Sequence, residues 1–196
     1  MIDPTFKVSG TEAKGLLMGL LEMDINQLKE HPNFPSMRQL VKAGKVKYDV
    51  NDPEEHWKTY REIVEDYGKN GVAYADCEDL AVAVAAEDIV RYGVASKPFA
   101  YSPRPGLFHV VTAVPENSVR EVFGSNSWPE ALLAPPTPGY VLQDISAAGG
   151  MKTSHIKGGY GIMSFGPQDR YGTFFGEEDL SDWPELERGD LARPKL

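Results

Sequence analysis

The hydrophobic pattern divides the chain into a helical first half and a β-rich second half. From Thr11 to Lys29 apolar residues recur at intervals of three and four, which predicts an amphipathic helix. A second, short helix is predicted from Met37 to Ala43. A third is predicted to begin with Asp52 as its N-cap and Pro53 in its first turn, and to end at Gly68. The first third of the chain is therefore expected to be mostly helical.

The segment from Cys77 to Gly93 gives the clearest helix prediction. It is rich in alanine, has acidic residues in its first turn and ends at a glycine. Because it is apolar on most sides, we expect it to be the central buried helix. After it the pattern becomes that of short strands broken by Pro and Gly, which predicts an antiparallel meander. The predicted strands are Pro98–Tyr101, Leu107–Val114, Ser118–Phe123 and Tyr140–Ile145.

The residues from Gly149 onward combine glycine with large apolar groups and have no clean period. Glycines disfavour a regular helix, and so many apolar groups need a surface to cover them, so an extended arm is expected. That surface is either the chain's own domain or another protein chain. The predicted organisation is a helical N-terminal extension at 1–52, a core at 53–148 and the tail at 149–196. The large apolar residues of the tail are Tyr160, Met163, Phe165, Tyr171, Phe174, Phe175 and Trp183.

Composition and charge argue against nucleic acid and membranes as partners. The chain is 41% hydrophobic and 25% charged, which is ordinary for a soluble protein. Its net charge of −9 disfavours nucleic acid and anionic membranes, since both are bound largely through Lys and Arg. No apolar run approaches the roughly 18 residues of a membrane span, and the first residues lack the features of a signal peptide. We therefore expect a cytoplasmic protein without nucleic-acid or membrane partners.

The cysteine count limits metal and disulfide chemistry. Cys77 is the single cysteine, so an intramolecular disulfide is impossible. One Cys and four scattered His do not form the common structural zinc patterns. Neither a metal nor an organic cofactor is expected.

Cys77 is the first candidate for chemistry, because it lies where a loop meets the predicted buried helix. Unpaired N–H groups at a helix start favour a thiolate and can bind an oxyanion. The neighbouring acids Asp76, Glu78 and Asp79 oppose the thiolate, so an imidazolium nearby would be needed to stabilise it. The simpler interpretation is that Cys77 is a small buried hydrophobic residue.

His109 and Asp144 complete a possible triad. His109 lies in an apolar run, where a histidine is costly unless it is hydrogen-bonded. Asp144 is the only acid in YVLQDIS, and acids in such places usually have a specific partner. Cys77 as nucleophile, His109 as base and Asp144 as orienter supply the three roles of a nucleophilic site. Alternatively, His109 is a satisfied core residue and Asp144 a turn or cap residue.

The sequence around these residues resembles the core of bacterial and phage transglutaminase-like proteins. The pattern of that family is a Gly-Asp-Cys-x-Asp-x-Ala helix start, an Arg-x-x-Gly turn and then a strand with His. Here Asp76 to Ala81 matches the first element, with Ala75 in place of the usual glycine. Arg91 to Ser96 is similar to the second element, and Phe108 to Val110 to the third. The resemblance covers roughly residues 53 to 150.

The resemblance implies an α+β fold of the papain/transglutaminase-like type. In it the helix of the nucleophile packs on an antiparallel sheet, and here an extended C-terminal arm would follow. The third member of the family's site is an acid shortly after the His strand. Asp144 is our match, although it lies farther from His109 than is usual, and Asn117 and Asn126 are the substitutes.

The function implied by the resemblance is cysteine-dependent acyl transfer on amide or peptide bonds. It would act on a protein or peptide substrate, as a peptidase, an amidase or a protein cross-linker. The alternative is a structural or assembly component of a multi-chain particle such as a phage virion, with or without activity. The location would then be the virion if the protein is phage-encoded.

Overall fold

A computed structural model describes residues 10–50, 56–104, 107–123 and 137–152. Within these ranges the chain is mixed α and β, which is compatible with the expected α+β class. The helices are α1 (Gly10–Glu30), α2 (Met37–Lys42), α3 (Tyr60–Asn70), α4 (Cys77–Tyr92), α5 (Glu116–Phe123) and α6 (Ile145–Ala148). The strands are β1 (Val46–Tyr48), β2 (Ala73–Ala75), β3 (Lys97–Arg104), β4 (Leu107–Pro115) and β5 (Tyr140–Gln143).

Helix α4 is the centre of the core, as its composition predicts. Its residues from Leu80 to Ala86 are all at most 1% exposed. The many alanines allow neighbouring elements to approach closely, and α1, α2 and α3 contribute to the same apolar cluster. A capping box between Asp76 and Asp79 begins the helix, and Gly93, at φ 65°, ends it.

The predicted antiparallel sheet is confirmed, with β4 as its middle strand. β3 pairs with β4 on one side, and β5 pairs with β4 on the other. His109 lies opposite Tyr101, and Thr112 lies opposite Gln143. β1 and β2 form a separate parallel pair that the sequence pattern did not predict. β2 leads through Asp76 directly into α4, so it fixes where the helix begins.

The two faces of β4 have different environments. Val110 belongs to the cluster around α4, and the Thr112 hydroxyl donates a hydrogen bond of 3.1 Å to the Ala81 carbonyl of that helix. Val111 and Ala113 belong to a second cluster on the opposite face of the sheet. Because side chains alternate along a strand, His109 lies on the same face as Val111.

The third helix begins later than predicted. It starts at Tyr60 with Thr59 as its N-cap, and 56–59 are not helical. The reason is a capping box in which Thr59 and Glu62 satisfy each other's backbone N–H groups. The helix continues past the predicted end at Gly68 and is closed by Gly71 at φ 73°. The predicted caps Asp52 and Pro53 lie outside the described residues.

Two of the strand predictions need correction. The segment from Ser118 to Phe123 belongs to helix α5. Its apolar positions Val119 and Phe123 are four apart, which suits one face of a helix as well as one face of a strand. The strand predicted from Tyr140 to Ile145 ends at Gln143, because the next residue caps helix α6.

The predicted tail falls almost entirely outside the described residues. Only Gly149–Lys152 of it is described, and the Gly149 carbonyl accepts a hydrogen bond of 2.9 Å from the Tyr48 N–H. None of the helices in the described ranges is both long and apolar enough to cross a membrane.

Candidate active site

His109 and Asp144 form a fully buried hydrogen-bonded pair. The distance from His109 Nε2 to Asp144 Oδ2 is 3.0 Å, and both residues are 0% exposed. The other carboxyl oxygen, Oδ1, accepts a hydrogen bond of 2.9 Å from the Ala147 N–H, because Asp144 is also the N-cap of α6. Both oxygens are thereby fixed. The predicted hydrogen bond between His109 and Asp144 is confirmed.

This contact determines which ring nitrogen of His109 is free to act as a base. A carboxylate oxygen accepts, so Nε2 carries the proton and donates it to Asp144. In the neutral ring Nδ1 then has the lone pair. Nδ1 is buried and has no hydrogen-bond partner among the described residues. An unpaired buried polar atom costs about 1–3 kcal/mol, and the free lone pair of Nδ1 is able to accept a proton.

The ring of Tyr101 packs on the imidazole and limits its orientation. Tyr101 is the cross-strand partner of His109 and is 1% exposed. Their ring centroids are 5.6 Å apart at an interplanar angle of 74°, which is an edge-to-face contact. His109 is therefore held by Asp144 at one nitrogen and by an aromatic ring at its side.

Cys77 reaches the same region of β4 from the start of α4. Its sulfur interacts with the backbone N–H of Val110, the residue after His109. At this point β5 no longer pairs with β4, since its last partner is Thr112 opposite Gln143. The sulfur therefore lies beside a part of β4 that is not paired with β5. Asp144 follows Gln143 directly, so Asp144 and His109 meet at this end of β5. Among the described residues no hydrogen bond joins the Cys77 sulfur to His109, whose Nδ1 has no partner.

The Cys77 thiol is neutral in this environment. It is 3% exposed, and burial raises its pKa well above the usual value. The charges of Glu78 and Asp76 raise the pKa further, and the Val110 N–H only partly opposes them. The thiol donates a hydrogen bond of 3.2 Å to Glu78 Oε2. The helix start alone thus does not produce a thiolate here.

Tyr48 is a residue of this region that the sequence did not single out. It is half-buried on β1, and its pKa is raised by burial and by the charges of Cys77, Asp76, Glu78 and Asp144. Tyr48 lies near both Cys77 and Asp144 because β1 pairs with β2. Three-residue strands of this kind leave almost no signal in a sequence.

The end of β5 that carries Asp144 is tied to α2 and α4 by a buried polar network. Arg38 makes a bidentate pair with Asp88, with distances of 3.0 Å from Nε to Oδ1 and 2.7 Å from Nη2 to Oδ2. Its Nη1 donates a hydrogen bond of 3.2 Å to Gln143 Oε1. The network fixes the residue immediately before Asp144 and so supports the position of the carboxylate.

Asn117 does not take the place of Asp144. It is exposed on α5, where its side-chain oxygen Oδ1 accepts a hydrogen bond from the Ser118 hydroxyl. Asn126 lies outside the described residues. No group of three or more His, Cys, Asp or Glu within the described ranges is arranged to hold a metal ion.

Comparison of the chain with protein-family models, with curated proteins and with solved structures finds no match.

Proposed function

We propose that the protein is a cysteine-dependent acyl-transfer enzyme with Cys77 as nucleophile, His109 as general base and Asp144 as the residue that orients the base. The observation that carries this proposal is the buried His109–Asp144 pair, whose remaining ring nitrogen has no hydrogen-bond partner among the described residues. The thiol of Cys77 interacts with the backbone N–H of Val110, the residue after His109. It makes no hydrogen bond with His109 in the structure described, so the proposed proton transfer requires the two side chains to come together when a substrate is bound.

The reaction follows from these roles. The thiol proton moves to His109 Nδ1 while the sulfur attacks the carbonyl carbon of an amide, forming a tetrahedral intermediate. The carbon–nitrogen bond then breaks, and the amine leaves with the proton from His109. The product on the enzyme is a thioester at Cys77. Water releases it as an acid, whereas a second amine releases it as a new amide.

The fold and the resemblance support the same proposal. A helix that begins at the nucleophile, packed on an antiparallel sheet with the base on one strand and the acid after the next, is the arrangement that a papain/transglutaminase-like core would have. The substrate class is then a protein or peptide amide. Hydrolysis is favoured, because the sequence shows no recognisable site for an amine acceptor.

The test of this proposal is the alkylation rate of Cys77 by iodoacetamide in the native protein, followed by mass spectrometry. Replacing His109 with Gln keeps a donor that can reach Asp144 but removes the basic Nδ1. We expect alkylation to slow by about 10²-fold, since a positioned base contributes effects of this size. The matched control is His56→Gln, which removes an exposed imidazole and should leave the rate unchanged.

In denaturant, the wild type and both variants should react at the same rate, because the thiol is then independent of its neighbours. Equal native rates for the wild type and His109→Gln would remove His109 as the base and contradict the proposal.

A second candidate function is a structural or assembly role in a multi-chain particle, with the triad retained as a buried polar cluster. It is favoured by the burial of Cys77 and by the neutral state of its thiol. A Cys77 that reacts with iodoacetamide only after denaturation would support this role over catalysis.

A further inference from the structure

Glu78 lies directly against the nucleophile and has no part in the mechanism above. It is 7% exposed, and its Oε2 is 3.2 Å from the Cys77 sulfur. It follows Cys77 directly in the first turn of α4. A carboxyl group buried beside a thiol is unusual, because burial of a charge needs a partner.

The groups around Glu78 are acidic or uncharged in the protein without substrate. Burial raises the pKa of Glu78 well above its usual value, and the charges of Asp76 and Asp79 in the same helix turn raise it further. The neighbouring Cys77 and Asp144 act electrostatically on Tyr48 of β1 and Tyr101 of β3, and Asp144 is hydrogen-bonded to His109 of β4.

Lys58, the cation that acts on the neighbouring Asp79, binds other groups. Its backbone N–H donates a hydrogen bond of 2.7 Å to Asp79, and its ammonium group binds the Tyr74 carbonyl at 2.7 Å. In the part of the chain that the structure describes, no Lys or Arg forms an ion pair with Glu78. The Glu78 carboxylate therefore interacts with the proton of the Cys77 thiol.

We propose that Glu78 is a fourth residue of the site, which shares the thiol proton with Cys77 and keeps the nucleophile neutral until a substrate is bound. This deepens the proposed function and rests on it, because a proton held at the sulfur matters only if Cys77 reacts. The two groups lose their protons as a coupled pair, since the second loss would place two negative charges in contact. Transfer of the proton to His109 avoids that state.

The test is the pH at which the thiolate forms, read from its absorbance near 240 nm (ultraviolet) with Cys77→Ser as baseline. In Glu78→Gln the amide oxygen still accepts from the thiol, but the charge is gone. The thiolate should therefore form at lower pH, and alkylation at pH 8 should be faster by roughly tenfold or more. Asp76→Asn, which keeps an N-cap, should give a smaller shift in the same direction. Glu22→Gln, at an exposed position on α1, should give none.

An unchanged thiolate titration in folded Glu78→Gln would overturn this proposal. The proposed function would survive that result if His109→Gln still slows alkylation, so the two failures can be told apart.

A second readout does not need the Glu78 variant. The carboxyl carbon of Glu78, followed by NMR in the wild type, should show an additional step at the pH of thiolate formation. That step should be missing in Cys77→Ala. Identical titration curves in the two proteins would contradict proton sharing.

Discussion

Replacing Cys77 with alanine is expected to lower the proposed acyl transfer by at least about 10³-fold, because the proposed nucleophile is lost and the chain has no other thiol. The loss should appear in kcat rather than in KM, since the sulfur acts on the bond being broken and not on the rest of the substrate. The measurement is the rate of amine release from a peptide amide substrate, compared with the wild type at the same pH.

The stability of this variant separates a chemical effect from an unfolded protein. Alanine removes one sulfur from the first turn of α4 and leaves the caps at Asp76 and Gly93 intact. The free energy of unfolding should therefore fall by about 1 kcal/mol or less. Full turnover in a folded Cys77→Ala protein would exclude Cys77 as the nucleophile.

A second large effect is expected at Asp24, a fully buried carboxyl on α1 whose role is in the core and not in the site. Its Oδ1 accepts a hydrogen bond of 2.7 Å from the Tyr60 N–H, at the start of α3. Its Oδ2 has no hydrogen-bond partner among the described residues. Burial raises the pKa of Asp24 from 3.8 to about 7, the Tyr60 N–H lowers it and the charge of Glu62 raises it.

The sign of the effect on stability follows from proton binding. Between about pH 4 and pH 7 the folded protein holds a proton at Asp24 that the unfolded chain has released. The free energy of unfolding therefore falls as pH rises through this window and is level above it. Asp24→Asn removes the titrating group and keeps an acceptor for the Tyr60 N–H. We expect it to be more stable than the wild type by on the order of 4 kcal/mol at pH 8, and about equal at pH 4.

Denaturant unfolding at a series of pH values measures this difference. The matched control is Glu22→Gln on the exposed face of the same helix, which should follow the wild type at each pH. A stability difference between Asp24→Asn and the wild type that does not grow from pH 4 to pH 8 would show that Asp24 is ionised in the folded protein.

The elements that the sequence predicted well are those with a strong local pattern. Helices α1 and α4 combine a long apolar period with clear ends, so their bounds are close to the predicted ones. β1 and β2 were missed, because strands of three residues owe their existence to pairing across the fold. The start of α3 was misplaced because Asp52-Pro53 resembles a helix start as strongly as the capping box of Thr59 and Glu62.

The same distinction holds for the site. The partnership of His109 and Asp144 was predictable, because each is a polar residue in an apolar strand and needs a partner. The contact between Glu78 and the sulfur was not, although Glu78 was recognised as an opposing charge. Whether a helix N-terminal acid points to solvent or into the core depends on the elements packed around it. The position of Tyr48 likewise depends on the pairing of β1 with β2, which has no strong local sequence pattern.

Trapping of an acyl group on Cys77 tests the central claim most directly. The native protein would be mixed with p-nitrophenyl acetate, quenched in acid, and its peptides analysed by mass spectrometry. We predict one acetyl group on the peptide that contains Cys77, formed together with a burst of p-nitrophenol. Both should be lost in Cys77→Ala and strongly slowed in His109→Gln. Acetylation confined to lysine side chains, or equal labelling of Cys77 in the wild type and His109→Gln, would contradict a Cys77–His109–Asp144 acyl-transfer site.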